Sequence, residues 1–408
     1  MRPEAHELPE LVRELHRQGS AWLPAGLGSR IAWGPPVREP CPVLSCARLD
    51  RIVEHTPGDF TLTVEAGAPL AAVQEALAPH RQWLALDPPW GEAEGSVGGL
   101  VARGLAGGYR QRYLGVRDQL IGVRLLRADG VAARAGGRVV KNVAGYDLMR
   151  LLTGSWGSLG LITELTLRTL PLPPHRSGLV VQGSPEALAP LARWLLGSTL
   201  TPERVDLWSA PLAAAAGLAP EPLLLIALAS VAAASLEEQA AAIAERSALP
   251  LRPLPAEALA PLLATSRGAG STAAPAGWLL RLGVRPDAAF RLLEAPELAD
   301  LPVDLAAGSG LGTAWAPAAA LGVSRVQELR RRCQELGGWL TVLLQPPGAA
   351  LPAWIDAPAR PMIEAIKHRF DPLGQLAPGR LPGVAAPVAA APVAAPAAAL
   401  SAQSASTL

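Results

Sequence analysis

Three glycine-rich segments lie within the first 165 residues, and their make-up suits an anionic, flat ligand. The first is Pro24-Ala25-Gly26-Leu27-Gly28-Ser29-Arg30, after a strand-like Ala-Trp-Leu run. Glycines permit positive φ and let consecutive backbone N–H groups point into one concavity, a nest that can hold pyrophosphate. An ordinary surface turn is the plain alternative. The second is Gly95-Ser96-Val97-Gly98-Gly99-Leu100, after Asp87-Pro88-Pro89-Trp90. Its paired glycines allow a flat ligand or a second backbone to come close, and the Ser96 hydroxyl could donate to a phosphate oxygen. Ser96 is equally suited to cap a helix. The third places Lys141 and Asn142 beside a Gly145 turn, with Tyr146 and Asp147 next and Gly160-Leu161-Ile162 further on. Loops this rich in glycine and polar groups are more often functional than structural. Asp147 could still be a helix cap and Lys141 a solvated charge.

Other chemistries find no support. Gly26-Leu27-Gly28-Ser29-Arg30-Ile31 lacks the third glycine of a dinucleotide fingerprint, and no phosphate-binding G-x-x-x-x-G-K-[ST] string occurs. None of the six histidines is spaced as a metal pair, and none lies between His175 and His368. A histidine-built metal site or general base in the second domain is thereby excluded, and no metal is expected. Cys41, Cys46 and Cys333 are too few for a disulfide scaffold or for an unaided iron–sulfur cluster. No catalytic residue can be assigned from these patterns.

The chain that must position these segments has 408 residues, too many for one average domain. A net charge of +1 argues against nucleic acid as a partner. The N-terminus is charged throughout, and the uncharged stretch 305–324, with four glycines, two serines and Pro317, reads as a loop or short strand rather than the roughly 20 apolar residues of a bilayer span. A cytoplasmic chain is expected, with peripheral attachment at the inner membrane through partners left open. Residues 5–18 read as an amphipathic helix. Residues 21–170 hold short strand-like runs, and Pro171, Pro173 and Pro174 close that region. Residues 178–345 alternate strand and helix candidates, which suggests a mixed α/β second domain. The stretch 361–382 reads as a helix with a proline-bounded extension. Residues 383–408 are uncharged and rich in Ala and Pro, so disorder is expected there. No internal repeat is visible.

In this order the segments are far more specific than any one alone. The stretch from about Trp22 to Leu172 resembles the FAD-binding domain of the p-cresol methylhydroxylase / vanillyl-alcohol oxidase superfamily. Within it, DPPWGEAEGSVGGLVARGLAG, GVRDQLIGVRLLRADG and GGRVVKNVAGYDLMRLLTGSWGSLGLITE are similar to the FAD-binding E subunits of bacterial glycolate oxidases. Ile366-Lys-His-Arg-Phe-Asp-Pro-Leu-Gly through Pro378-Gly-Arg is similar to the family's C-terminal segment.

The resemblance implies an α+β fold. A two-subdomain FAD-binding domain with its N-terminal helix would span residues 1–174, and a ferredoxin-like α/β cap 175–355. Residues 356–382 would return to the FAD domain, ahead of the tail at 383–408. Backbone N–H groups from Ala25 to Ser29, with Pro24, would face the FAD diphosphate. Ser96, Val97, Gly98 and Gly99, with Pro88 and Gly95, would form the second loop. Asn142, Gly145, Tyr146 and Asp147, with Lys141, would lie near the flavin, and Gly160 and Ile162 would offer main chain to it. Arg117 and Asp118 would form a buried ion pair ordering the loop around the site. Leu27 adds bulk where the family usually has glycine, and Ala377 stands where it commonly has Asn. With no histidine or cysteine in the first loop, FAD is expected to bind non-covalently, with Cys333 the open exception.

The resemblance further implies a subunit of a complex that oxidises glycolate, a small 2-hydroxy acid. The other members would be a homologous FAD-containing catalytic subunit and an iron–sulfur subunit. Two alternatives stand beside it: a self-sufficient FAD oxidoreductase on another hydroxy acid or alcohol, and a non-redox scaffold with an empty flavin site.

Overall fold

The computed structural model describes residues 1–37, 41–90, 95–138, 147–268 and 277–385. Leu8, Val12 and Leu15 recur at helical spacing and bury one stripe of α1 (Leu8–Arg17) against Trp22, Leu44, Leu126 and Leu161. Beside it, β1 (Leu23–Ala25) and β2 (Val43–Ser45) pair in parallel. The chain continues through β3 (Ile52–Thr56), β4 (Thr61–Glu65), α2 (Leu70–Leu77), β5 (Gln82–Trp83) and α3 (Val97–Arg103). Then come α4 (Arg110–Tyr113), α5 (Val116–Gln119), β6 (Leu120–Leu126), β7 (Ala132–Gly136), α6 (Met149–Leu152), β8 (Leu161–Arg168) and β9 (Leu170–Pro171). An antiparallel sheet ordered β3-β4-β8-β6-β7 forms the frame of this first region. Leu62, Val64, Val123, Leu125, Leu165 and Leu167 on its inner face pack against α2 and α3.

The second region is one eight-stranded sheet ordered β13-β10-β12-β11-β15-β16-β14-β17, antiparallel at every pairing. Its first half runs β10 (His175–Gln182), α7 (Pro185–Gly197), β11 (Arg204–Trp208), α8 (Ala210–Ala215), β12 (Leu223–Ser230), α9 (Ala233–Arg246), β13 (Leu251–Pro255) and α10 (Ala256–Ser266). Its second runs β14 (Trp278–Gly283), α11 (Ala289–Leu293), β15 (Val303–Ala306), β16 (Leu311–Ala316), α12 (Val323–Glu335) and β17 (Trp339–Leu344). Each half is a βαββαβ unit of ferredoxin-like order, and the two join edge to edge through β11 and β15. The cap is thus ferredoxin-like as expected, but doubled, a structural duplication that the residues themselves do not reveal.

Both faces of this sheet are covered. Leu224, Ile226 and Leu228 of β12 face α7, α9, α11 and α12, while Leu223, Leu225 and Ala227 face α8, α10 and the first region. That is why β12 reads as an unbroken apolar run. Each such leucine or isoleucine contributes about 1.5–3 kcal/mol by burial. Cys333 lies in the helix-side core with no exposure.

After the cap, α13 (Arg360–Phe370) brings the chain back to its beginning. Lys367 sits at the hub of this return. Its Nζ donates to the Ser158 and Leu376 carbonyls, both at 2.8 Å, and pairs with Asp371. Asp371 in turn accepts from the Gln375 and Leu376 amides. Trp22 N donates to Gln375 O at 2.9 Å and Ala377 N to Trp22 O at 2.9 Å, so residues 375–377 run alongside the entry to β1. Ala377 is buried at φ 45°, a left-handed conformation that costs an L side chain about 1–2 kcal/mol. Ala377→Gly is therefore expected to raise stability by about 1 kcal/mol. Urea unfolding of the two proteins checks it, and no gain would mean the backbone relaxes there at no cost. The tail from 386 onward lies outside the described residues.

Candidate cofactor site

A cleft of about 1030 Å³, partly open to solvent, lies between β1, α3 and the turn before β8. Pro24, Ala25, Gly26, Leu27, Gly28 and Ser29 line it from one side. Pro88, Gly95, Ser96, Gly98 and Gly99 line it from another, and Gly160 and Ile162 from a third. Three segments far apart in sequence thus converge on one cavity.

The two loops differ in what they offer. The Gly26, Leu27, Gly28 and Ser29 amides have no acceptor among the described residues, while Ser45 Oγ donates to the Gly26 carbonyl at 2.7 Å and Cys46 N to the Ala25 carbonyl at 2.7 Å. Gly28, at φ 83°, turns the chain there. This is a loop with free donors facing a cavity. In the second segment the donors are used. Val97 N bonds Ala68 O at 2.9 Å, Gly98 N bonds Ala66 O at 2.8 Å, and Gly99 N bonds Ser96 Oγ at 3.2 Å. Ser96 is therefore the N-cap of α3 as well as a lining residue, and Val97 packs in the core. What the second segment supplies is closeness. A Cβ on Gly26 would stand 1.9 Å from Ser96 Oγ, and one on Gly98 would stand 2.6 Å from both the Ala66 carbonyl oxygen and Cβ. Gly98 is thus required by packing against the end of β4, not by a ligand.

Arg117 and Asp118 do not form the expected buried pair. Both are exposed on α5, away from the cavity, because Asp118 turns back to accept from the Gly115 amide at 3.1 Å. Asp147 is exposed and pairs with Arg150, also outside the lining. Lys141, Asn142, Gly145 and Tyr146 lie outside the described residues. Cys333 is on the far side of the cap sheet, and burial pushes its thiol up to about 12. His55 is half-buried against Gln82 and His80, remote from the cleft.

Sequence reasoning missed several lining residues. Cys46 reaches the cavity, but burial and Glu65 push its thiol up to about 12, so it stays protonated. Trp33 and Trp156 line the cap-facing end. Arg103 donates to the Trp33 and Arg30 carbonyls and lies 4.0 Å from the Trp156 ring centroid. Arg30 and Arg380 complete the wall. No residue of the cap sheet is among the lining residues. Trp33, Trp90 and Trp315 meet edge to face there, at 6.4 and 5.6 Å, closing the cap side.

A separate polar cluster ties the cap to the first region. Arg204, fully buried on β11, binds Asp206 at 2.6 Å, with Asp304 at 3.4 Å and Asp87 at 3.7 Å. Asp87 accepts from the Gly107 and Tyr109 amides. Arg281 donates to Ala106 O and to Thr313. Burial, with Asp87 nearby, outweighs Arg204 and raises Asp206 to about 6. Burial and Asp206 raise Asp304 well above the usual carboxylate range.

The cleft and its frame define a domain of the FAD-binding class followed by a duplicated cap. Residues 3–136 match the FAD binding domain family, and FAD is the cofactor that this domain takes. Among curated proteins the chain is similar to glycolate oxidase subunit GlcE of Escherichia coli (strain K12). The two are 39% identical over 172 residues, which is 42% of this chain and 49% of that protein. It is also similar to D-2-hydroxyglutarate dehydrogenase of Xanthomonas citri pv. viticola, at 35% identity over 41% of this chain and 35% of the relative. The chain spans about half the length of the first of these relatives and less of the second. Among solved structures, alkyldihydroxyacetonephosphate synthase aligns over 93% of this chain and 76% of its own, with a TM-score of 0.65 at 14% identity. That likeness carries the two-region fold and nothing about chemistry.

Proposed function

We propose that this protein is the FAD-holding subunit of a complex that oxidises a small 2-hydroxy acid such as glycolate. FAD sits in it non-covalently, and a homologous catalytic flavoprotein and an iron–sulfur subunit complete the complex. The observation that carries this reading is the make-up of the cleft. Its make-up suits a dinucleotide: amides at 26–29 without an acceptor among the described residues, the close approach at Gly26, half-buried Arg103 and buried Arg380. Yet among the described residues its lining contains no His, Asp, Glu, Lys or Tyr to take a hydroxyl proton. No cap strand reaches it, and tryptophans close that side. Bound FAD would supply a hydride acceptor; this chain's residues bind and orient it and keep water from its cap-facing end. Cytoplasmic residence, with any membrane attachment through partners, goes with this proposal. Among the described residues no helix is long and apolar enough to cross a membrane.

The test begins with an absorbance spectrum of the purified chain. Yellow protein that releases flavin on acid precipitation is the expected result. Added glycolate should leave that flavin oxidised, and bleaching should appear only with the catalytic partner present. Rapid bleaching of the single chain would favour a self-sufficient oxidoreductase. A chain that stays colourless with added FAD would favour a non-redox scaffold.

A further inference from the structure

We propose that Arg380, with Arg103 beside it, is the cationic partner of a diphosphate oxygen of the dinucleotide held in the cleft. The proposal rests on the reading that the cleft takes FAD, and it adds a binding residue outside the family-matched region.

Arg380 is only 5% exposed and lines the cavity; its amide donates to the Ala377 carbonyl at 3.0 Å, but its guanidinium makes no hydrogen bond or ion pair to the described residues, and its Nε is enclosed and orphaned. A buried guanidinium without an acceptor is costly, and such groups are nearly always paired. Arg103 makes matters worse by repelling it: burial first, then Arg380 and Arg30, lowers the Arg103 guanidinium. Neither Arg103 nor Arg380 has a carboxylate in contact among the described residues. At Arg103 and Arg380 the wall therefore carries positive charge that no carboxylate among the described residues answers. In the second glycine segment the amides at 97–99 are bonded internally and are not offered to an anion. That leaves the free amides at 26–29 and the arginines. The backbone places them together, because residues 375–377 pair with Trp22, one residue before the strand that runs into the first loop. A planar fork with several donors suits phosphate oxygens, and so would a carboxylate.

Arg380→Gln keeps much of the volume and removes the charge, and Arg380→Lys restores the charge without the fork. Flavin affinities are measured by fluorescence titration of the apoprotein with FAD and with riboflavin, which lacks phosphate. FAD should bind Arg380→Gln about 10- to 100-fold more weakly, riboflavin equally well in both, and Arg380→Lys should recover part of the loss. Equal loss for FAD and riboflavin would overturn the diphosphate contact. Unchanged FAD affinity, with loss of a glycolate-induced change in the flavin spectrum, would assign the arginine to a free carboxylate and overturn it as well. Inorganic pyrophosphate separates this inference from the cofactor reading. If the wild type bound no flavin, yet pyrophosphate raised its Tm and failed to raise that of Arg380→Gln, the anion site would stand and FAD would fall. Without any pyrophosphate effect, both would fall.

Discussion

Arg204→Leu is expected to lower the unfolding free energy by about 3–5 kcal/mol at pH 7. The change strips the cation that contacts Asp206 and leaves Asp87 and Asp304 nearby without it, all at the buried junction between cap and first region. The loss should shrink on acidification, since protonating those carboxylates removes the uncompensated charge. The wild type has its own pH signature. Asp206 stands near 6 when folded against an ordinary value of 3.8, so between those values the folded state holds more protons than the unfolded one. Its contribution is thus fully present below about pH 4 and is lost as pH rises through 6. Asp304, raised for the same reason, acts in the same direction. Urea unfolding from pH 4 to 8 measures both effects. Asp206→Asn should flatten the slope, and an unchanged slope would mean the proton resides elsewhere. The double variant Arg204→Leu, Asp206→Leu should be less destabilised than Arg204→Leu alone, because an apolar pair of similar volume leaves fewer orphaned charges.

Gly26→Val and Gly98→Val should fail in different ways. The valine at 26 would meet Ser96 at the mouth of the cleft, where the hydroxyl of one side chain gives way first. Flavin affinity should drop at least about 100-fold while the protein stays folded. At 98 the collision is with the backbone of Ala66 at the end of β4, which cannot yield without moving the sheet. There the expected loss is about 3 kcal/mol or more of stability, with or without flavin. Circular dichroism melts beside flavin titrations distinguish the two. A Gly98→Val protein with wild-type Tm and no flavin would return that glycine to the ligand.

How much of this was legible in the residues varies with the range of the interaction. Gly26, Gly28, Ser29 and Gly95 could be placed at the cleft because a glycine-rich loop is a local signal, whereas Gly160 and Ile162 came only through the family resemblance. Ser96 carried two readings, and only the register of α3 against Ala66 and Ala68 decided for the cap. Arg117 and Asp118 look like a pair in one dimension, but α5 is a single turn at the surface and presents both to water. Arg103 and Arg380 gave no sign, since their relation depends on two segments 277 positions apart in the chain. The doubling of the cap was hidden for a further reason. In β11 the run Arg-Val-Asp-Leu-Trp puts charges where a buried strand should be apolar, because those charges answer one another across the join. The matching strand β15 is too short to show a period of its own.

The pairing of Trp22 with Leu376 bears on how the protein comes into being. An element near the start of synthesis waits for one made more than 350 residues later before its edge is covered. A nascent chain on the ribosome can form the cap sheet early, as its strand partners are close in sequence, but it cannot complete the cleft. Completion of the cleft wall is then a late event, after release of residue 380, and a chain cut short before that point would hold its fold's largest sheet and an unfinished cleft.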